Sequence, residues 1–471
     1  MTTDDSADVA AGESRSDSEN ARSTPSDSRK KSAREAMFDT STRPRRHWAK
    51  IVFAPTLVLA VLTGLLGVMY LGYVADPEKN LHDFPVALVN LDVGDVLDTG
   101  GQQRRVDFGK QVTDALVANV PADKIDLRVV GKPESEQLLR TGQVYGAIII
   151  PGDFSKRLGI LGAGSIVPGE MENPIITLQT NPRMGAYGDA IVQRIGEQAL
   201  TEVDKQVGVQ LVDQVQATLA QTPEGAQPPQ ISGAAMLSLE SPIDTVTQEY
   251  RPLPPGTGQG LTAFFYALLL LLAGMVGAMV IHTMVDAQFG FVPTEYGPWF
   301  VHYPTSSISR FHTLLVKWGV STVVAVVVSA VFLLAAELVG MPIDNPLALY
   351  LYSVLAMVAV GWTALMTLAA LGTAGLLVNL VLFVILGLPS SGGTVPIEAT
   401  PTYLSWLAEF EPMHQVFLGV RSILYFDANY SAGLDRGIWM ALLGIAIAVV
   451  AGTIITRYYD YKGLHRKNHT A

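Results

Sequence analysis

The chain has 471 residues, of which 49% are hydrophobic and only 16% charged, with a formal net charge of −11. That acidic balance argues against general nucleic-acid binding. Cysteine is absent, which excludes a disulfide framework, a thiolate metal site and a cysteine nucleophile.

Four long runs carry no Asp, Glu, Lys or Arg. Residues 51–75 and 261–285 are 25 residues each, 437–456 is 20 and 347–397 is 51. A bilayer core of roughly 30 Å takes about 20 apolar residues in a helix, and a central charge costs about 2.5–3.5 kcal/mol. The pattern predicts a polytopic membrane protein.

In chain order, the tail 1–48 is acidic first and basic afterwards. Its first 28 residues hold seven acids and only Arg15 and Arg22, a composition that resists ordering. Eight bases then lie between Arg29 and Lys50, which places this tail in the cytoplasm by the positive-inside rule. Segment 49–75 reads as a first span acting as a signal anchor. Its apolar run exceeds the 7–15 residues usual in a signal peptide, and no small-residue cleavage pattern follows.

Residues 76–260 hold 24 acids against 14 bases and read as an α+β domain outside the membrane. Strands are expected at 84–90, 125–130, 145–150 and 174–179, and helices at 110–120 and 133–140. A short helix should follow Pro151, with Asp153 as its N-cap. Apolar residues recur every fourth position from Ile191 to Leu219, so a helix of about 30 residues is expected. It either packs on its own domain or projects as a stalk. Residues 221–260 read as a Pro/Gly-rich linker.

The domain 261–457 should supply five further spans, at 261–285, 313–338, two within 347–389 turning at Gly372–Gly375, and 437–457. The fold class is therefore a membrane α-helical bundle of six spans with an inserted α+β extracytoplasmic domain. The tail 458–471, with Lys462, Arg466 and Lys467, returns to the cytoplasm, and the address is the cytoplasmic membrane. Gly444, Ala448 and Gly452, Ser321, Ala325 and Ser329, and Ala60 with Gly64 are small residues at four-residue spacing, expected at helix contacts.

No catalytic constellation emerges, so neither enzyme activity nor a cofactor is expected. No segment matches G-x-x-x-x-G-K-[ST], so any ATPase must be a separate chain. Asp92, Asp95 and Asp98 are three apart, unlike EF-hand ligands, and read as a solvated turn, with a cation site as the alternative. His82 is the one histidine of segment 76–260, too few for zinc. Polar residues within spans carry more weight. His282 and Asp286 form an i, i+4 pair, read either as a solvated interfacial pair or as a coupling element. Lys317 should snorkel to the cytoplasmic surface. Glu337 lies near the outer end of its span, and Asn379 suits a helix–helix hydrogen bond. Loop 286–311 is rich in aromatics, Trp299 among them, and could receive a cytoplasmic partner.

Segment 389–426 is the most distinctive. Prolines and glycines break the helix through Gly392, Gly393, Thr394 and Pro396. Tyr403, Trp406, Leu407 and Phe410 follow helical spacing, and Glu411-Pro412-Met413-His414 separates them from a second amphipathic stretch, 416–426. Irregular backbone at membrane depth must be buried in protein or line a cavity, so a re-entrant or interfacial gating element is expected.

Taken in order, these features resemble the YhgE/Pip-like branch of the ABC-2-type transporter permeases. They comprise one N-terminal span, an outer domain opening Pro85-Val-Ala-Leu-Val-Asn90, and the Gly146–Ser155 strand with its Pro-x-Asp-Phe-Ser end. Five clustered spans, the Gly392-Gly393-Thr394-x-Pro396 break and the Glu411-Pro412-Met413 turn complete the set. The resemblance covers about 45–457. It implies a homodimeric exporter subunit and leaves room for an ATPase subunit on loop 286–311. The expected function is export of a lipidic, amphipathic or peptide substrate. The alternative is a non-transporting envelope scaffold or receptor whose outer domain binds a partner protein.

Overall fold

A computed structural model of the chain describes residues 46–99, 102–164, 172–220 and 233–464. Residues 1–45 of the N-terminal tail, both its acidic part and most of its basic cluster, and the residues after Leu464 lie outside the described residues. Two compact units divide at Thr63/Gly64.

Among the described residues, five helices are long and apolar enough to cross a bilayer. They are α1 (Arg46–Ala75), α7 (Leu261–Gln288), α8 (Arg310–Leu338), α9 (Pro346–Leu371) and α13 (Leu434–Tyr461). The chain is a mostly helical, multi-pass bundle of the kind a membrane requires. Along α1, Val52, Phe53, Val61, Val68 and Leu71 are all more than half exposed. Such a surface is stable against lipid and not against water.

The expected fifth of six spans takes another form. Gly372 caps α9 with φ 61°, and the chain reverses there. Then α10 (Ala374–Leu380) runs only seven residues before a π-helical segment, Val381–Leu386. Together they form an apolar helix of 13 residues, Ala374–Leu386, short of the about 20 that span a bilayer. Gly387, Pro389 and the glycines beyond stop it.

Polar contacts and ring stacking lock the long helices together. Trp318 of α8 stacks on Trp362 of α9 at 5.0 Å, each indole N–H donating to the other residue's carbonyl at 3.2 Å. On α13, Ala448 is fully buried and Gly452 faces Leu314 and Trp318, and on α8 Ser321, Ala325 and Ser329 are buried. Ala60 is exposed and Gly64 faces open space, so the small pair on α1 makes no such contact among the described residues.

Between α1 and α7 a five-stranded mixed sheet forms, ordered β4-β1-β5-β6-β7. Its strands are β1 (Phe84–Asn90), β4 (Ile125–Val129), β5 (Gly146–Ile150), β6 (Ile175–Thr180) and β7 (Asp244–Glu249). The pairs β1/β4, β1/β5 and β6/β7 are parallel, and β5/β6 is antiparallel. Strand β7 lies within the stretch expected to be linker. All six of its residues are exposed, so backbone pairing holds it without the alternation that marks a strand. A hairpin, β2 (Asp95–Thr99) with β3 (Gln102–Val106), occupies the expected solvated turn.

The long helix, α5 (Ala186–Ala220), packs on its own sheet rather than projecting. Ile191, Val192, Leu200, Val203, Val207, Leu211 and Val215 are buried along it. Its Gly196 lies against Leu178 of β6, and Leu211 lies against Gly162 of α4 (Phe154–Gly164). Helix α6 (Gly233–Glu240) covers Gly208.

Asp92 holds the start of two helices. Its carboxylate accepts from Gly109 N at 3.0 Å, in the first turn of α2 (Phe108–Asn119), and from Ser155 N at 3.0 Å in α4. The Ser155 hydroxyl donates to Asp92 and accepts from Phe108 N at 2.7 Å. Asp153, expected to cap α4, instead pairs with Arg157 at 2.7 Å. A carboxylate at two helix starts satisfies amides that have no intrahelical partner and suits both helix dipoles. Asp92→Ala should therefore destabilise the sheet region by about 2–3 kcal/mol. A thermal-shift measurement on the full chain should show a lower Tm, and an unchanged Tm would refute the role.

Candidate functional site

The helix break after Leu386 is built from both sides of the chain. Gly392 has φ 69°, a left-handed conformation that favours glycine. Gly393 owes its glycine to a different cause. Its φ is not positive, and a Cβ there would run into the ring of Phe264 on α7. The Thr394 hydroxyl bonds the hydroxyl of Tyr73 on α1, and Val395 N donates to Tyr73 Oη at 3.1 Å. Tyr70, one turn earlier, donates to Val384 O in the π segment at 3.0 Å. Pro396 is buried and lies against Gly188 of α5.

Two helices follow the break. In α11 (Thr402–Ala408), Leu404 and Ala408 are buried, whereas Tyr403 and Trp406 are 47% and 68% exposed. The aromatic stripe that announced this helix is thus its outer face, as in an interfacial aromatic belt. Pro412 occupies the first turn of α12 (Pro412–Tyr425), and the Glu411 carboxylate caps it, accepting from Met413 N at 2.6 Å and His414 N at 3.2 Å. The second stretch was expected to be amphipathic. Instead α12 is buried on nearly every side, packed among α7, α9 and α13. His414 Nδ1–H donates to Ser391 O at 2.8 Å, closing the break onto α12.

A buried polar knot joins this element to the sheet. Tyr145, at the start of β5, donates to Glu398 Oε2 at 2.8 Å. His82 N donates to Glu398 O at 2.8 Å, and His82 Nε2 lies 2.8 Å from the Ser405 hydroxyl. Burial raises the Glu398 carboxyl above its ordinary range, opposed by the Tyr145 hydrogen bond and the Arg421 charge. Burial first, and Glu398 next, push the Tyr145 hydroxyl well up. Arg421 of α12 is buried between the rings of Phe417 and Phe426. Two more arginines pin the end of α12, Arg183 donating to Tyr425 O and Arg251 pairing with Asp427 at 2.9 Å.

At the opposite end of the helices, His282 and Asp286 meet Lys317. Asp286 is 2% exposed, so the expectation of a solvated pair fails. Lys317 is buried, with Nζ 2.6 Å from Asp286 Oδ1 and 3.0 Å from His282 Nδ1, and does not snorkel. A buried carboxylate recruits the nearest cation because its own desolvation is so costly. Asp460 of α13 caps α8 from below, accepting from Arg310 N at 2.9 Å and Phe311 N at 3.1 Å. Between α7 and α8 stands a hairpin, β8 (Thr294–Tyr296) with β9 (Trp299–Val301). It exposes Trp299 by 73% and Phe300 by 64%.

Of the remaining singled-out residues, Asn379 is fully buried and donates to Ala364 O at 3.1 Å, with Thr367 bonded to its carbonyl. Glu337 is exposed at the end of α8 and takes no part in the bundle interior. The site brings the 392–396 residues together with Tyr73, Phe264 and Tyr145, and leaves His282, Asp286 and Trp299 apart at the other end. Tyr73, Glu398 and Lys317 were missed as partners because each meets a residue distant in sequence. Arg421 had a local signal, a lone cation inside the apolar run 416–426.

A family model described as ABC-2 family transporter protein matches residues 50–456. No curated protein matches the chain. The matched region takes in every long apolar helix, the sheet and the broken segment, so the chain belongs to the ABC-2 transporter family and is a membrane transporter protein.

Proposed function

We propose that this chain is the permease subunit of an exporter in the YhgE/Pip-like branch of its family. It moves a lipidic, amphipathic or peptide substrate outward across the cytoplasmic membrane. It works as a homodimer, is not itself an enzyme, and takes its energy from a separate cytoplasmic ATPase. Both termini face the cytoplasm, and the sheet domain 76–260 lies outside.

One observation carries the reading: the 392–396 break is held simultaneously by α1, α7 and the sheet domain, through Tyr73, Phe264 and Gly188. Displacement of α7 therefore reaches the outer domain through a buried contact. The inner end of that lever is α7 and α8, joined by Asp286 and Lys317, with the aromatic hairpin between them as the surface for the ATPase.

Six crossings follow when Ala374–Leu386 and the break after it are counted together as the fifth. The Tyr459 hydroxyl donates to Ala370 O at 2.9 Å, so the end of α9 lies beside the end of α13. Gly437, at the start of α13, lies beside Gln415 of α12. The chain from 374 to 434 thus travels from one end of the bundle to the other. Family membership favours transport over the scaffold or receptor reading.

A reporter active only outside the cytoplasm, fused after Ala471, should stay silent, and activity would overturn the topology. Purification of the full chain under mild conditions should bring down a stoichiometric ATPase, and Trp299→Ala should lower its recovery. Recovery of an envelope protein in place of any ATPase would support the scaffold instead. Gly393→Val should leave membrane insertion intact while abolishing the phenotype that gene deletion causes. Wild-type behaviour would make the break a mere connector. Removing one partner of a buried ion pair is costly, about 3–5 kcal/mol. Lys317→Met should accordingly lower Tm sharply, and adding Asp286→Asn should restore much of the loss. Additive effects of the two substitutions would disprove the pairing.

A further inference from the structure

A second feature of the bundle lies away from the break. Where α9, the π segment, α12 and α13 meet, a cavity of about 440 Å³ opens. That is within the range of small-molecule sites, roughly 300–1,000 Å³. Met366, Phe383, Met440 and Ile447 give it apolar walls. Its rim includes Phe410, Leu443 and Ile447, each about half exposed, so the cavity opens on the side that a spanning α13 presents to lipid. π-Helical turns recur at functional sites, and here one supplies Leu382 and Phe383 to the wall.

The polar groups on the wall are unequal. The Thr363 hydroxyl donates to Ala359 O at 2.8 Å, and the Thr367 hydroxyl to Ala364 O at 2.8 Å. Gln415 is 2% exposed, and its amide nitrogen donates to Ala408 O at 2.7 Å and Glu409 O at 3.0 Å. Its carbonyl oxygen is buried with no hydrogen-bond partner among the described residues. A buried acceptor left without a donor is unfavourable and calls for one.

We propose that this cavity binds a single-chain lipid whose uncharged hydroxyl head donates to Gln415 Oε1 while its tail lies along α13. An anionic head would meet an acceptor oxygen at Gln415 rather than a donor. Among the described residues, no carboxylate lines the cavity to receive a cationic head. The inference rests on reading the chain as an exporter of lipidic or amphipathic cargo, and names the head group that cargo presents here.

The test reads binding alone, with no ATP or ATPase present, so its result is separable from that of any export assay. The full chain in phosphatidylcholine nanodiscs is irradiated with diazirine analogues of hexadecanol, hexadecane, hexadecanoic acid and hexadecylamine. Labelled peptides are mapped by mass spectrometry. The alcohol should label the peptides of Met366 and Met440 about fivefold more than the hydrocarbon, the preference expected of one hydrogen bond to a buried acceptor. Gln415→Leu should abolish that preference while keeping hydrocarbon labelling, which reports an intact pocket in the same variant. Free hexadecanol should displace the label from the unaltered chain better than hexadecane does. Ala441→Phe should remove all labelling without altering the oligomeric state.

Equal labelling by acid or amine, or indifference to Gln415→Leu, would overturn the proposal. An unlabelled wild-type cavity whose Ala441→Phe variant dissociates into monomers would assign the groove to a second copy instead.

Discussion

The backbone of residues 387–396 leaves helical geometry among apolar helices, where most of it is buried. The amides and carbonyls freed there must be satisfied by protein. Ser390 and Ser391 turn their hydroxyls back onto Leu386 O and Leu388 O, both at 2.7 Å. His414 serves Ser391 O, Tyr73 serves Val395 N, and Tyr70 serves Val384 O. These partners come from three places: the break itself, the end of α1 and the start of α12. The break is therefore stable only when the end of α1, the start of α12 and the π segment are in place together.

That dependence explains why α12 is buried on nearly all sides. A helix that must supply His414 to the break and Gln415 to Ala408 O cannot lie at the periphery. Tyr352 of α9 seats it, donating to Gln415 O at 3.1 Å beneath Gly419. Burial of α12 in turn forces its one arginine, Arg421, against Phe417 and Phe426, where ring faces and the Glu398 charge compensate the lost hydration. The sheet domain reaches the membrane helices through the same few residues, Tyr145, Arg183 and Arg251.

The far end of the helices solves a similar problem with charges. Asp286, Lys317 and His282 are mutually paired, and Asp460 stabilises the start of α8 from α13. Buried ion pairs add little net stability but fix which groups must be neighbours. The consequence is that α7, α8 and α13 share one polar layer beside an exposed hairpin. The paired charges and the glycine-rich break thus lie at opposite ends of α7.

Much of this architecture was legible in sequence, because lipid imposes a length and a composition on any helix that crosses it. The charge-free runs located α1, α7, α9 and α13 closely, and the apolar stretch 313–338 located α8. Alternating and buried apolar segments located β1, β4, β5 and β6, and the four-residue repeat announced α5. Gly392 was readable as a turn glycine, although Gly393 is a contact glycine whose neighbour, Phe264, no local pattern names. The tertiary structure alone decided what depended on distant partners. It stopped the fifth apolar helix at 13 residues, drew Lys317 to Asp286, added the wholly exposed β7 to the sheet, and turned the aromatic stripe of α11 outward. Local spacing records which residues share a face. Whether that face meets protein, lipid or water is set by the elements packed against it, and those come from elsewhere in the chain.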